Sequence, residues 1–276
     1  MLSNNYTVID GFKCYDPDLA YQNDGFPSDH FNRLAELEEN SFWFKARNLI
    51  LIHLFKRYVG EGQDKKVMEI GSGNGFVLKG LSKLNYSLTG TEIYLDGLKN
   101  IQKRLPNIEL IQLNAINLPF QNEFDAIGAF DVLEHIEADE KVLQNIFNAL
   151  KENGYCIVTV PQHQFLWSYI DEYAKHKRRY SRKELKEKLI RNGFEVKYIG
   201  SFVFTLFPFV LLSRMLKKNK PIEEVTFKDV ESEFLIPKWM NTLFYFLLKI
   251  DYFFIRMGIS LPFGSSLVAV AQKISK

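Results

Sequence analysis

Apolar positions along the chain switch between a period of two and a period near four, and that switching predicts the elements. Lys66-Val67-Met68-Glu69-Ile70 is short and β-prone, and Gly71 stops it. From Phe76 the apolar residues recur at helical spacing through Leu81. Further short apolar runs predict strands over 86–92, 108–113, 124–130, 154–160, 194–199 and 267–273. Helical patterns fill the gaps at 94–105, 138–150 and 181–192, with Pro106 and Pro161 stopping one helix and one strand. In 181–192, Ser181 and Glu184 make a capping box and Gly193 suits the position just past the end. Strands alternating with helices predict an α/β protein, with a mostly parallel, doubly wound sheet of seven strands covered on both faces.

Outside this core the pattern changes. Residues 1–29 are rich in Asp, Asn, Gly, Pro and Tyr and read as an irregular arm. A helix is expected from about Phe31, with Asp29 as its cap, and a second amphipathic helix from Phe42 to near Gly60. The expected division is 1–60 as arm and lid helices, 61–200 as core, 201–262 as an apolar helical insertion, and 263–276 as the last strand. The run 202–212 has no charge but is too short to cross a bilayer and contains Pro208. The run 239–259 is long enough, yet Lys249, Asp251 and Arg256 argue against a lipid-embedded span. In it Thr242, Tyr245, Lys249, Tyr252 and Arg256 share one helical stripe, and most of the remaining circumference is apolar. Such a helix must be largely buried, pair with a second copy, or lie in a membrane interface, and Asp251 on its apolar side needs a partner.

Composition narrows the class. With 276 residues the chain can bury a full core, and 46% hydrophobic with 25% charged residues is a globular balance. Lys and Arg (35) nearly cancel Asp and Glu (33), which does not suggest a dedicated nucleic-acid binder. Cys14 and Cys156 have no metal-ligand or disulfide spacing, so no metal site is expected. The first residues lack the basic and apolar regions of a secretory signal, which predicts a cytoplasmic protein, with membrane association left open by 201–262.

The chemistry starts at Glu69-Ile70-Gly71-Ser72-Gly73-Asn74-Gly75. A glycine turn between strand and helix lays bare backbone against a ligand. Phe76 stands where a dinucleotide fingerprint wants its third glycine. Glu69 would repel a pyrophosphate but attract an ammonium group. The heptapeptide resembles the first motif of class I S-adenosylmethionine-dependent methyltransferases, which implies their Rossmann-like fold and S-adenosyl-L-methionine as cofactor, with S-adenosyl-L-homocysteine as product. Glu92, 21 residues beyond Gly71 and followed by Ile93, is placed to accept from a ribose diol. Asn114-Ala115, ahead of Leu118-Pro119-Phe120, resembles the adenine-edge segment, with Asn114 in place of the usual acid. Phe124 to Ile136 resembles the motif that borders the methionine end, through Phe130 and Asp131, and Glu134-His135 follows. The resemblance also makes the first helices a lid, with Arg47 or an aromatic facing that end.

The stretch after the fifth core strand should lie over the same crevice. Its His163, Trp167, Asp171 and His176, ahead of Arg178-Arg179-Tyr180, are similar to a run in bacterial methyltransferases of small molecules, lipids and glycans. The candidate bases are His163, His176 and His135, with Asp171 orienting and Trp167 flanking the acceptor. Arg178, Arg179 and Tyr180 complete the candidate acceptor site, the basic run being suited to a phosphate or carboxylate. The expected reaction is O-methylation of a small-molecule, lipid-linked or glycan acceptor, with no nucleic acid as partner. The competing classes are a binding protein that keeps the nucleoside pocket without turnover and a nicotinamide-dependent oxidoreductase.

Overall fold

Residues 6–21, 28–216, 222–232 and 235–274 are described by the structure, a computed structural model. Where an irregular arm was expected, the chain opens with a hairpin of β1 (Thr7–Ile9) and β2 (Phe12–Cys14). Asp10 and Gly11 join them at φ of 51° and 84°, the left-handed pair that a two-residue hairpin turn requires. Helices α1 (Ser28–Asn40) and α2 (Phe42–Tyr58) follow, so Asp29 lies inside the first turn of α1 rather than capping it. Ser41 caps α2 by accepting from the Trp43 N–H.

The core then runs β3 (Lys66–Ile70), α3 (Phe76–Leu81), β4 (Ser87–Glu92), α4 (Leu95–Arg104), β5 (Glu109–Gln112), β6 (Phe124–Phe130), α5 (Asp139–Ala149) and β7 (Leu150–Pro161). A short α6 (Tyr169–Tyr173), α7 (Arg182–Arg191) and β8 (Phe194–Phe202) come next, then α8 (Phe207–Leu216), α9 (Phe227–Ser232), α10 (Lys238–Arg256) and β9 (Ser266–Lys273). The strand order is β1-β2-β5-β4-β3-β6-β7-β9-β8. The seven expected strands are all present, and the hairpin extends the sheet to nine by pairing β2 in parallel with β5. β3 pairs in parallel with both β4 and β6, so the winding reverses there. Ligands of open α/β sheets bind at the carboxyl ends of such a switch point.

Alternation along β3 decides where its acid goes. Val67 packs in the core on the α2 side with Leu51, Leu54 and Phe55, whereas Met68 and Ile70 pack on the other side with Ile146 and Leu185. Glu69 therefore faces α2, beneath the helices expected to form a lid.

The segment between β8 and β9 lies against that lid. Asn241 of α10 accepts from the Phe42 N–H (2.8 Å) and donates to the Asn40 carbonyl (3.0 Å), while Phe42 and Phe244 meet edge-on at 5.4 Å. Asp251 is fully buried and finds its partners in the backbone: it accepts from the N–H groups of Phe204 (2.6 Å) and Thr205 (3.1 Å). Those groups follow Val203, a β-branched residue held at φ 60°, a costly conformation that the carboxylate stabilises by satisfying the corner. Burial raises the pKa of Asp251 against these same bonds. Replacing Asp251 with Ala should lower unfolding stability by about 2–3 kcal/mol in urea titration, because two N–H groups lose a charged acceptor. A loss below about 0.5 kcal/mol would show that the corner holds itself, since removing an essential charged acceptor costs more than that.

Candidate active site at the carboxyl ends of the central strands

Gly71, Gly73 and Gly75 all take positive φ (64°, 52° and 73°), which explains three glycines in five residues. A Cβ on Gly71 would come within 2.6 Å of Val132, so the loops after β3 and β6 touch there. A Cβ on Gly73 would meet nothing within 4 Å, so its bare backbone faces open space. Glu92 ties this loop to the end of β4, accepting from the N–H groups of Gly73 (2.9 Å), Ile93 (2.8 Å) and Tyr94 (3.4 Å). Burial raises the Glu92 pKa and these three donors pull it back. Ser72 is turned inward, giving its hydroxyl to the Glu69 carbonyl (3.0 Å) and accepting from the Thr91 N–H (3.2 Å). Asn74 is buried and accepts from Asn100 (3.0 Å).

Glu69 itself is 3% exposed, and its Oε2 has no protein partner. Burial drives its pKa well above the usual carboxylate range, opposed by Arg47 and reinforced by Glu38 and Glu92. Arg47 of α2 reaches across the crevice to Asp131 in an ion pair, and its guanidinium lies 4.7 Å from the Trp43 ring centroid. Asp131 sits just past β6 at φ 58°. The expected lid residue thus closes over the end of β6. Phe130, expected at the same place, is instead turned into the core against Phe55, ring centroids 6.2 Å apart. The ring lies back over Gly128, where a Cβ would collide with it.

Two residues that the sequence reading missed complete this side. Glu38 of α1 is buried beside Arg104, and its pKa is pushed up to about 7 by burial against the pull of Arg104 and Arg47. Asp16, just past the hairpin, accepts from the Asn114 N–H (2.8 Å) and the Asn117 amide (2.8 Å). A carboxylate therefore stands beside Asn114 after all. The Asn114 side-chain oxygen accepts from the Ile116 N–H (3.1 Å) and caps a turn. Ala115 is buried and Ile93 half-buried beside Glu92.

On the acceptor side the structure brings together Glu134, His135, His176, Asp171 and Arg179. His135 and His176 meet edge-on with centroids 4.7 Å apart. Asp171 is fully buried: it completes a capping box with Ser168, takes a two-pronged contact from Arg179 (2.7 and 2.9 Å), and accepts at Oδ1 from His176 Nδ1 (2.9 Å). Asp171, expected to orient a base, is thus in contact with His176. Burial raises its pKa, but His176 and Arg179 outweigh that and hold it at about 2. His163 is separate, at φ 65°, stacked on Phe165 (4.9 Å) and edge-on to Phe207 of α8 (5.9 Å). Trp167 is half-buried, its N–H 3.4 Å from Glu172.

Three residues expected to contact the acceptor are engaged elsewhere. Tyr180 is fully buried and donates to Asp139 (2.7 Å) in the core beneath α5. Arg178 pairs with Glu137 and Asp139, and Arg179 with Asp171 and the Gln162 carbonyl. The basic run is thus a clamp between loops, because buried guanidinium groups must be matched by acids. Among the described residues, buried polar atoms without a protein partner include Glu69 Oε2, both Glu134 oxygens, Thr159 Oγ1, Gln162 Oε1 and Arg47 Nε. They lie on or beside the carboxyl ends of β3, β6 and β7, where a polar ligand would satisfy them.

Acid titration followed by circular dichroism checks the Asp171 clamp. Its folded pKa lies below the unfolded value of about 3.9. Its contribution is therefore full above about pH 5 and fades as pH falls towards 2. Asp171→Asn should remove that dependence and lower neutral-pH stability by about 2–4 kcal/mol. An acid limb identical to wild type would refute the assignment.

A profile of the methyltransferase-domain family matches residues 42–199, more than half of the chain. Over 184 residues the chain is 24% identical to a Mycolicibacterium smegmatis protein named for S-adenosylmethionine-dependent methyl transfer, covering 66% of this chain and 70% of that one. It is 31% identical over 124 residues to a ubiquinone/menaquinone biosynthesis C-methyltransferase of Wigglesworthia glossinidia brevipalpis (40% and 50% covered). It is 23% identical over 104 residues to a ubiquinone biosynthesis O-methyltransferase of Psychrobacter cryohalolentis (34% and 40% covered). The chain thus spans half or less of these last two relatives. Among solved structures it resembles phosphoethanolamine N-methyltransferase 2 of Haemonchus contortus in complex with S-adenosyl-L-methionine, with TM-score 0.60, 16% identity, and 92% of this chain and 59% of that one covered. It also resembles the [4+2]-cyclase SpnF, with TM-score 0.55, 16% identity, and 84% and 81% covered. Such distant structures report the fold alone, while the family profile reaches from α2 into β8. The chain belongs to the class I S-adenosylmethionine-dependent methyltransferases.

Proposed function

We propose that the chain methylates an oxygen of an apolar small-molecule, lipid-linked or glycan-lipid acceptor drawn from a membrane surface. The donor supplies a methyl group already activated on its sulfonium. The residues present fit it: Glu69 offers an unpartnered carboxylate oxygen to its cationic amino-acid end, and the open backbone at Gly73 admits close approach. Glu92 Oε2, which accepts from the Gly73 N–H, keeps a lone pair for a ribose hydroxyl, and Asp16, Asn114 and Ile93 border the place expected for the base. Arg47 and the aromatics of α2 exclude water from the methionine side, and His135 and His176 stand where the acceptor oxygen would lose its proton.

The observation that carries the acceptor class is the outward row of α10. Trp239, Leu243, Phe246, Ile250, Phe253 and Met257 are 44–68% exposed on one helical stripe. Asp251, the only acid of this helix, faces inward, whereas Lys238, Lys249 and Arg256 are exposed beside the row. Exposed Phe209, Leu212 and Met215 of α8 add to the apolar surface, and Phe207 carries it to the His163 loop. No helix among the described residues is long and apolar enough to cross a membrane. An apolar row with a basic border and without acids matches a helix lying in an anionic lipid interface. Each row side chain contributes on the order of 1 kcal/mol when it leaves water.

Flotation with phosphatidylglycerol vesicles tests this. Wild type should float with the lipid, and Phe246→Asp/Ile250→Asp should remain at the bottom as a folded protein. Radiolabelled S-adenosylmethionine given to a bacterial membrane extract should put label into the organic phase. Equal sedimentation of both proteins as dimers, with label in protein or nucleic acid, would overturn the reading.

A further inference from the structure

Among the described residues, Glu134 is a buried acid whose carboxylate meets no protein partner. It is 1% exposed, neither carboxylate oxygen has a partner, and its carbonyl is held by the Lys177 N–H (2.6 Å). The guanidinium groups that influence it are committed, Arg47 to Asp131 and Arg179 to Asp171. A buried carboxylate with no cation of its own is strongly disfavoured unless something supplies one.

Two imidazoles face the same spot. His176 is fixed through Nδ1 by Asp171, which leaves Nε2, and a ring N–H of His135 bonds to the Ala174 carbonyl, which leaves the other nitrogen. Metal-ligating histidines are oriented in this way, one nitrogen on an oxygen acceptor and the other on the ion. Glu134, His135 and His176 can each offer one ligand atom within 4.8 Å of the other two. Ligands bound at about 2.1 Å in a tetrahedral site stand roughly 3.4 Å apart, so a small side-chain rotation closes the set. Glu134 is buried, His176 half-buried and His135 exposed, so the cluster is walled on one side and open on the other.

We propose that Glu134, His135 and His176 bind one divalent first-row cation, such as Zn2+ or Mn2+, with open positions for an oxygen of the acceptor. Two nitrogens and one carboxylate suit borderline cations better than Mg2+ or Ca2+. Three protein ligands leave the ion free to take a hydroxyl and lower its pKa, which supplies a nucleophilic oxygen near neutral pH. Cation binding stands on this cluster alone, whereas the acceptor's part in it rests on the methyl-transfer reading. The spacing explains why the sequence did not suggest it: Glu134 and His135 are adjacent, and His176 lies 41 residues on.

Untagged protein, treated with chelator and dialysed, should be titrated calorimetrically with ZnCl2 and with MnCl2. Both cysteines are buried, so thiols do not compete. Wild type should take up one equivalent. Glu134→Gln and His176→Gln, each checked for native circular dichroism, should weaken binding at least tenfold. Absence of saturable binding by wild type, or equal binding by the variants, would overturn the site. A parallel titration with S-adenosylhomocysteine separates the two claims: nucleoside binding without a cation refutes the metal site, and a cation without nucleoside binding supports it while refuting methyl transfer.

Discussion

A carboxylate buried without a counterion, at the point where the sheet reverses its winding, is the constraint around which the rest is arranged. Glu69 is carried there by the alternation of β3, which sends its neighbours into the hydrophobic cores and leaves the acid facing α2. Nothing in the protein neutralises it fully: Arg47 lowers its pKa but is spent on Asp131, and Glu38 and Glu92 push the other way. A buried carboxylate of this kind disfavours a phosphate beside it and favours a cation. That is a reason, independent of any family likeness, why an S-adenosylmethionine enzyme and not a nicotinamide enzyme grew on this doubly wound sheet.

The surroundings follow from that one charge. Helices α1 and α2 lie over the crevice, and Glu69 beneath them is buried. Asn241 and Phe244 of α10 fasten the lid from outside, and Asp251 fastens α10 to the β8–α8 corner. The same helix therefore has two faces with different tasks, one packed on α2 and one bare. On the acceptor side, Asp171 gathers Arg179, His176 and the start of α6 into one unit, so the histidines are positioned by a buried clamp.

Much of this was legible in advance. The core strands, and the core helices apart from the short α6, announced themselves by period and by their stops, and the glycine loop with Glu69, Glu92 and Asp131 fell at the strand ends expected of it. The misses have physical causes. The hairpin was overlooked although Asp10-Gly11 is a strong turn signal, because its strands are three residues long. Asp16 and Glu38 join the site from segments distant in sequence, which spacing cannot reveal. Tyr180, Arg178 and Arg179 looked free because a sequence shows charge but not its partner, and Asp139 and Asp171 take that charge. The polar stripe of α10 is partly covered, since Tyr245 and Tyr252 are half-buried, and the apolar row points outward.

The most direct test of the central charge is calorimetric titration with S-adenosylhomocysteine at pH 7 in buffers of different ionisation enthalpy. Glu69 has a raised pKa when alone and must ionise to meet the ligand's ammonium group. Binding should therefore be accompanied by net proton release, and Glu69→Gln should bind more weakly with that release lost. Binding of a nicotinamide dinucleotide in place of S-adenosylhomocysteine, or nucleoside binding with no proton linked to Glu69, would contradict the account.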